Sequence, residues 1–193
     1  NGGPTKNVSL ELGGNAPLIV LADADLDKAA RDAATGAFLH QGQICMAVNR
    51  VIVDASIYDA FVEKFLAAVK EIPVGDPQDE KTVVGPIVND SQLKGLKKKI
   101  TQAKEEGATV ALEGTINGRL VSPHVFTDVT RDMEIAREEI FGPLIGVMKA
   151  DNEEHAIELA NDPEFGLSAA IYSTNLDHAS QLGLRIESGM VHI

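Results

Sequence analysis

The spacing of hydrophobic and polar residues changes repeatedly along the chain, and each change predicts a switch between strand and helix. Residues 8–12 alternate apolar and polar positions as a strand does, and a glycine pair separates them from the apolar run 17–21, a second predicted strand. Small and apolar residues then recur at helical spacing from an aspartate-rich start at 23–27, and we expect this helix to end at Gly42. The chain is therefore predicted to open with two strands and a helix.

The same alternation continues to the end of the chain. Further strands are predicted at 50–53, 110–112, 124–129, 144–148, 169–172 and 190–193. Further helices are predicted at 58–72, 91–106, 153–160 and 176–186. Strands that alternate with helices imply βαβ crossovers, which place parallel strands side by side and helices on both faces of the sheet. We therefore predict an α/β fold with three αβα layers and a largely parallel, doubly wound sheet, in one domain over 1–193.

Composition and charge narrow the possible partners. The 193 residues contain 17 Lys and Arg against 29 Asp and Glu, a formal net charge of −12, which argues against a nucleic-acid-binding groove. No stretch approaches the roughly 20 continuous apolar residues that a membrane helix needs, so no membrane partner is expected. A single cysteine excludes an internal disulfide, and no signal-peptide pattern opens the chain, which together favour a reducing, cytoplasmic location.

The sequence predicts no metal site. The aspartates within 23–27 resemble the start of a calcium-binding loop, but Lys28 and Ala34 occupy the positions that require glycine and glutamate. The histidines lack zinc-binding spacing, and there is no second cysteine to complete a zinc site. Neither a G-x-G-x-x-G fingerprint nor a phosphate-binding loop of nucleoside triphosphatases occurs, so this chain carries no dinucleotide cradle of its own.

Cys45 is the first candidate for chemistry. It follows the first predicted helix and precedes the strand at 50–53, which places it in a loop at an edge of the sheet. In open α/β sheets, reactive groups gather beyond the carboxyl ends of the strands, and a thiol there is accessible to a small molecule. Cys45 is thus a candidate nucleophile, although a lone cysteine is more commonly a small buried apolar residue, and that alternative stays open.

Two acidic segments add candidates. Glu11 lies inside an otherwise apolar predicted strand and is followed by two glycines that allow close approach, which suits a general base; the alternative is a solvent-facing residue on an edge strand. In the segment 138–143, alternate residues of an extended chain would place Glu139 and Phe141 on one side. The glutamate could then accept hydrogen bonds from hydroxyl groups while the phenyl ring packs against a flat heterocycle, unless this is an ordinary turn before a strand.

Three motifs together resemble the signatures of the NAD(P)-dependent aldehyde dehydrogenase superfamily. They are ELGGN at 11–15, GQIC at 42–45 and EEIFGP at 138–143, and their order and spacing match as well as their residues. The resemblance covers essentially the whole chain. It implies that 1–193 is the catalytic domain, truncated at both ends, with the Rossmann-type coenzyme domain largely outside the chain and a homo-oligomeric parent enzyme.

The resemblance also implies a role for each candidate. Cys45 would attack the aldehyde to give a thiohemiacetal, which becomes a thioester after hydride transfer to NAD or NADP, and Glu11 would activate the water that hydrolyses the thioester to a carboxylic acid. Glu139 would bind the nicotinamide ribose hydroxyls, Phe141 would pack beside the nicotinamide ring, and the Leu12 carbonyl would lie near the carboxamide. The isolated piece is expected to be inactive, because most of the coenzyme site lies in the missing domain.

The segments 38–46 and 187–193 further resemble the subgroup that acts on aromatic aldehydes such as benzaldehyde, so the expected substrate is a small, aromatic aldehyde. Two alternatives to the dehydrogenase remain at this point. One is a non-redox cysteine hydrolase in which His40, five residues before Cys45, is the base. The other is a catalytically silent fragment that serves in assembly with another chain.

Overall fold

The computed structural model describes residues 7–193, which form nine strands and six α-helices. The strands are β1 (Ala16–Val20), β2 (Val48–Asp54), β3 (Thr109–Leu112), β4 (Ile116–Asn117), β5 (Leu120–Val121), β6 (His124–Thr127), β7 (Leu144–Ala150), β8 (Ser168–Tyr172) and β9 (Met190–His192). The α-helices are α1 (Leu26–Phe38), α2 (Tyr58–Lys70), α3 (Asp90–Glu105), α4 (Glu134–Arg137), α5 (Glu153–Asn161) and α6 (Leu176–Gly183).

Seven of the strands form one twisted sheet in the order β3-β6-β7-β2-β1-β8-β9. Neighbouring strands are parallel throughout, except that β3 runs antiparallel to β6. β1 and β2 lie in the middle of the sheet. The strands β3, β6 and β7 follow on the side of β2, and β8 and β9 then lie on the side of β1. This confirms the predicted α/β fold with a largely parallel, doubly wound sheet.

Helices cover both faces of the sheet and enclose two hydrophobic cores. Successive residues of a strand point to opposite faces, so Leu18 and Val20 lie in the core under α1 and α2, while Ile19 lies in the core on the other face. That second core contains the buried residues of α3, α4, α5 and α6. The central strands are apolar almost throughout, because both of their faces are buried. The sheet with a layer of helices on each face gives the three αβα layers.

A side-chain cap accounts for the start of α1. The Asp25 carboxylate accepts hydrogen bonds from the backbone N–H groups of Asp27 and Lys28, both at 3.1 Å, and so caps α1. Asp23 accepts instead from the Ser173 hydroxyl and the Thr174 backbone N–H, which ties the end of β1 to the end of β8. The aspartates at 23–27 thus serve the helix and the sheet, and within residues 7–193 no group of three or more His, Cys, Asp and Glu is arranged to hold a metal ion.

Several local predictions were wrong. Residues 8–12 form no strand, and the side chains of Val8, Leu10 and Leu12 are 74%, 70% and 70% exposed. An alternating pattern becomes a strand only where a neighbour supplies hydrogen bonds and a buried face, and the sheet begins later, at β1. The short helix α4 and the β4–β5 hairpin were not predicted, because elements of four or two residues carry no detectable periodicity.

The first helix also ends earlier than Gly42. α1 stops at Phe38 because His40 and Gln41 have φ of 51° and 59°, in the left-handed region that a right-handed helix cannot contain. The strand predicted at 124–129 stops at Thr127, because Asp128 also has a positive φ of 54°. None of the helices among residues 7–193 has the length and apolar character needed to cross a bilayer.

Candidate active site

A cleft of about 450 Å³ lies at one edge of the sheet. Its walls come from three segments of the chain and contain every site residue predicted from the sequence. The lining residues are Glu11, Leu12, Gly13, Gln43, Ile44, Cys45, Glu139 and Phe141. Residues more than 120 positions apart in sequence are thus brought together around one opening.

The cleft lies at the amino ends of the strands, and the expectation that Cys45 would lie beyond their carboxyl ends was wrong. Each of the three segments directly precedes a strand: 11–13 precede β1, 43–45 precede β2 and 139–141 precede β7. β1, β2 and β7 are adjacent and parallel, so the segments that enter them meet at the same edge. The carboxyl-end rule describes loops that leave strands, whereas Cys45 lies in a loop that enters one.

Cys45 occupies a tight turn and is only partly buried. The backbone N–H of Ala47 donates to the carbonyl of Ile44 at 3.0 Å, which places Cys45 and Met46 in the middle of this turn. The thiol is free and half-buried, so it is open to a small molecule and is not the buried apolar residue that the sequence left as an alternative. Met46 is exposed beside it.

The turn before Cys45 has an unusual backbone. His40, Gln41 and Gly42 have φ of 51°, 59° and 66°, three consecutive residues in the left-handed region. Each non-glycine residue in this region costs about 1–2 kcal/mol, so neighbouring groups must hold the turn in place. Gly42 is required for space as well as for φ, because an added Cβ would collide with the carbonyl oxygen of Gly142.

Glutamine side chains anchor this turn to a neighbouring loop. The Gln41 side-chain oxygen accepts from the Gly85 backbone N–H at 3.0 Å, and the Gln43 side-chain oxygen accepts from the Val88 backbone N–H at 3.0 Å. The loop at 85–88 therefore holds the turn on both sides of Gly42. These bonds fix the backbone that leads directly to Cys45.

The glycine pair at 13 and 14 fits between the Cys45 turn and Glu139. A Cβ on Gly14 would collide with the Cys45 carbonyl oxygen, and a Cβ on Gly13 would lie 2.7 Å from Glu139 Oε2. The Gly14 backbone N–H donates to Glu139 Oε1 at 3.0 Å. The three cleft segments are thus in direct contact, and the close approach depends on residues without side chains.

Glu139 and Phe141 both face the cleft, but not because they alternate along an extended segment. Phe141 has a φ of 52°, so the backbone turns at this residue, and the predicted extended geometry was wrong there. Both side chains are half-buried in the cleft wall. The sequence of segment 138–143 therefore predicted correctly that Glu139 and Phe141 face one cleft, but it predicted the wrong backbone conformation for the segment.

Glu11 lines the same cleft as Cys45, but in an exposed segment. The strand predicted around it was wrong, because residues 8–12 lie outside the sheet, and of the two alternatives for Glu11 the structure has the solvent-facing one. An exposed carboxylate at the mouth of the cleft is in contact with solvent, and it can exchange a proton with bulk water. Leu12, next to it, is exposed too and forms part of the same rim.

A buried arginine under the cleft was not predicted. Arg50 is 2% exposed, and its guanidinium donates to the Asn15 side chain at 2.9 Å and to the Leu159 carbonyl at 2.6 Å. It also donates to the carbonyls of Asn15 and Ala160, both at 3.1 Å, and the Asn15 amide in turn donates to the Ala136 carbonyl at 3.1 Å. The network joins the starts of β1 and β2 to the carboxyl end of α5. The sequence signal that could have identified Arg50 is a charged residue at the start of the apolar run 50–53.

Burial lowers the pKa of Arg50 to about 10, and the nearby Asp162 partly opposes this shift. The guanidinium therefore stays charged at neutral pH. Its acceptors at the end of α5 are carbonyl groups that lack partners within the helix, and they carry the negative end of the helix dipole. Arg50 donates hydrogen bonds to these carbonyls and to Asn15. It thereby fixes the position of Asn15, which directly follows Gly14 at the start of β1.

His40 does not belong to the cleft. It is exposed, and it is not among the residues that line the opening around Cys45. The hydrolase alternative, in which His40 acts as the base, is therefore not supported.

The family model for the aldehyde dehydrogenase family matches residues 1–193. The chain belongs to the aldehyde dehydrogenase family. It is 70% identical over 193 residues to a vanillin dehydrogenase of Corynebacterium glutamicum, with 100% of this chain and 40% of that protein covered. It is 47% identical over 188 residues to a benzaldehyde dehydrogenase of Bacillus subtilis, with 97% and 39% covered.

A solved structure gives the same result for the fold of this chain. The crystal structure of a NAD-dependent benzaldehyde dehydrogenase from Corynebacterium glutamicum superposes with a TM-score of 0.94 at 70% identity, and covers 100% of this chain and 41% of that chain. The resemblance noted from the three motifs is thereby confirmed. The chain spans about 40% of the length of the relatives it matches.

The glycine pair at 13 and 14 gives a matched test of the packing around the cleft. Gly14→Ala should lower the free energy of unfolding by about 1–3 kcal/mol, because the new methyl group meets the backbone of the Cys45 turn. Gly13→Ala should change it by less than about 1 kcal/mol, because the Glu139 side chain can rotate away. Urea unfolding of both variants measures the difference. Equal losses would show that the Cys45 turn is not what Gly14 accommodates.

Proposed function

We propose that residues 1–193 are the catalytic domain of an NAD(P)-dependent aldehyde dehydrogenase that oxidises an aldehyde to a carboxylic acid through Cys45. One observation carries the proposal: Cys45, Glu11, Glu139, Phe141 and Leu12, from three separate segments, line a single cleft. Membership of the aldehyde dehydrogenase family over the whole chain supports it. In this proposal the coenzyme domain and the remainder of the enzyme lie outside these residues.

Cys45 forms the covalent intermediate. Its thiolate attacks the carbonyl carbon of the aldehyde, a C–S bond forms, and the carbonyl oxygen becomes the oxyanion of a thiohemiacetal. The Cys45 backbone N–H stabilises this oxyanion by hydrogen bonding. Loss of hydride from the same carbon restores the C=O bond and leaves a thioester on Cys45.

NAD or NADP, when bound, supplies the acceptor for this hydride. The residues of the cleft fit the nicotinamide half of such a coenzyme. Glu139 Oε1 is bonded to Gly14, while Oε2 lies beside Gly13, whose lack of a side chain leaves room for ribose hydroxyl groups. The half-buried ring of Phe141 offers a flat apolar surface for the nicotinamide, and the Leu12 carbonyl can accept from its carboxamide.

Glu11 completes the cycle by activating water. Its carboxylate takes a proton from a water molecule as the water oxygen attacks the thioester carbon. The C–S bond then breaks, the carboxylic acid leaves and the Cys45 thiolate is restored. The exposed position of Glu11 lets it return the proton to solvent.

The substrate in this proposal is an aromatic aldehyde of the size of benzaldehyde or vanillin. Support comes from relatives at 70% and 47% identity whose names specify vanillin and benzaldehyde. The proposal also places the enzyme in a reducing, cytoplasmic setting, where a lone thiol stays available for catalysis, and it includes assembly of the whole enzyme as a homo-oligomer.

Replacing Glu11 with glutamine separates the two halves of this reaction. In the full-length protein, Glu11→Gln should lower kcat by about 10²–10⁴-fold, because acylation of Cys45 continues while hydrolysis of the thioester slows. Rapid mixing with benzaldehyde and coenzyme should give a burst of reduced coenzyme that is stoichiometric with active sites. Intact-mass spectrometry of the quenched protein should show a benzoyl adduct on Cys45.

The matched control is Glu138→Gln, which removes an exposed carboxylate beside Glu139 that does not line the cleft. It should leave kcat within a few fold of the unsubstituted protein and give no accumulating adduct. If Glu11→Gln turned over as fast as this control, Glu11 would not be the base.

A further inference from the structure

The β4–β5 hairpin lies outside the seven-stranded sheet, and its tip lies against the loop at 85–88. Pro86 and Leu120 form an antiparallel bridge between the loop and the hairpin. The Ile87 backbone N–H donates to the Arg119 carbonyl at 2.8 Å. The hairpin therefore supplies backbone partners to a loop that has no place in any strand of its own.

The Arg119 side chain adds a second bond to the same loop. Its guanidinium Nη1 donates to the Val88 carbonyl oxygen at 2.8 Å, a charge-assisted hydrogen bond. Arg119 thus binds two consecutive residues of the loop, Ile87 through its backbone and Val88 through its side chain. Ile87 is fully buried in the core, whereas the side chain of Val88 is 60% exposed. At Val88, the arginine therefore supplies a contact that the core does not.

Val88 is also the residue that contacts the cysteine turn. Its backbone N–H donates at 3.0 Å to the side-chain oxygen of Gln43, two residues before Cys45. The turn at 40–42 has a left-handed backbone, and such a conformation persists only where surrounding contacts impose it. A continuous series of contacts therefore joins Arg119 to the turn that precedes the nucleophile.

We propose that Arg119 is a positioning residue for Cys45 and acts through the loop at 85–88. By fixing the Val88 carbonyl, it holds the Val88 N–H in place for Gln43 and so restricts the turn that carries the Cys45 thiol and backbone N–H. Arg119 is exposed and does not line the cleft, so its effect on Cys45 runs through the loop. This inference rests on the proposed dehydrogenase function and adds to it a remote support for the nucleophile.

The first test follows hydrogen exchange in the full-length protein and needs neither coenzyme nor activity. Arg119→Met keeps the length of the side chain but removes the donor, so the amides of 43–47 should exchange about three- to tenfold faster. Arg119→Lys should restore the rate to within about twofold, because one ammonium N–H is enough for the single bond to Val88. Arg31→Met is the control, since it removes an exposed charge from α1 and should leave exchange at 43–47 unchanged.

The second test measures the first turnover of the full-length enzyme. After rapid mixing with benzaldehyde and saturating coenzyme, Arg119→Met should form reduced coenzyme about three- to tenfold more slowly, because attack by Cys45 depends on the geometry of the turn. The KM for the coenzyme should stay within about twofold, because Glu139 is bonded to Gly14 and not to this loop. Arg119→Lys should again restore the rate.

A double-mutant cycle tests whether the effect runs through the loop. In a protein that already carries Gln43→Met and so lacks the bond to Val88, Arg119→Met should change the first-turnover rate by less than about twofold. Effects that multiplied would overturn the inference, because Arg119 would then act by another route.

Two results of the exchange test would also overturn the positioning role. One is unchanged exchange at 43–47 in Arg119→Met. The other is exchange that rises equally in α2 and α5, which would show a general loss of stability. Failure of the unsubstituted protein to oxidise aldehydes would refute the proposed function alone, because the exchange test does not depend on activity.

Discussion

Cys45→Ser should abolish aldehyde oxidation in the full-length protein and lower kcat by on the order of 10⁴-fold or more. The serine hydroxyl has nearly the same size as the thiol but is a far weaker nucleophile at neutral pH without a base beside it. This chain has a single cysteine, so no other thiol within it can take over. Steady-state formation of reduced coenzyme with benzaldehyde measures the loss.

The neighbouring methionine provides the control for that experiment. Met46 is exposed in the same turn, and Met46→Leu keeps an apolar side chain of similar volume, so its kcat should stay within a few fold of the unsubstituted protein. Acid and reduced coenzyme should form in equal amounts, which separates oxidation from hydrolysis of an ester. A Cys45→Ser protein that retained several per cent of its activity would contradict the covalent mechanism.

Arg50→Met should produce the largest loss of stability among the substitutions considered, about 3–5 kcal/mol in the free energy of unfolding. The change removes every donor to the Asn15 side chain and to the carbonyls of Leu159 and Ala160, and leaves these acceptors buried without partners. Arg50→Lys should lie between methionine and arginine, because a single ammonium group cannot reach acceptors that surround a planar guanidinium.

Urea unfolding followed by circular dichroism measures these differences, with Arg31→Met as the control. Arg31 is exposed on α1, and its replacement should change the free energy of unfolding by less than about 0.5 kcal/mol. If Arg50→Met unfolded at the same urea concentration as Arg31→Met, the buried network would not be what holds the starts of β1 and β2 together.

The layered fold could be predicted because its elements are long and their burial is regular. The central strands are covered on both faces, and the amphipathic helices α2 and α3 leave a clear periodicity in the sequence. The false strand at 8–12 shows the limit of this reasoning. Its alternation is real, but a strand also needs a partner, and pairing is a property of the folded chain.

The members of the site could be predicted, but not their geometry. The motifs around Glu11, Cys45 and Glu139 mark residues that the folded chain brings to one cleft. The left-handed backbone at Phe141 left no signal, because a bulky aromatic residue rarely adopts that region.

The left-handed turn at 40–42 has a consequence for protein engineering. It is bonded to the loop at 85–88 through Gln41 and Gln43, and it packs through Gly42 against the backbone of Gly142. Each of these loops is therefore held in part by its contacts with the others. Transplanting the cysteine turn alone into a related scaffold should therefore fail, whereas grafting all three loops as one cassette should carry the intact cleft to the new host.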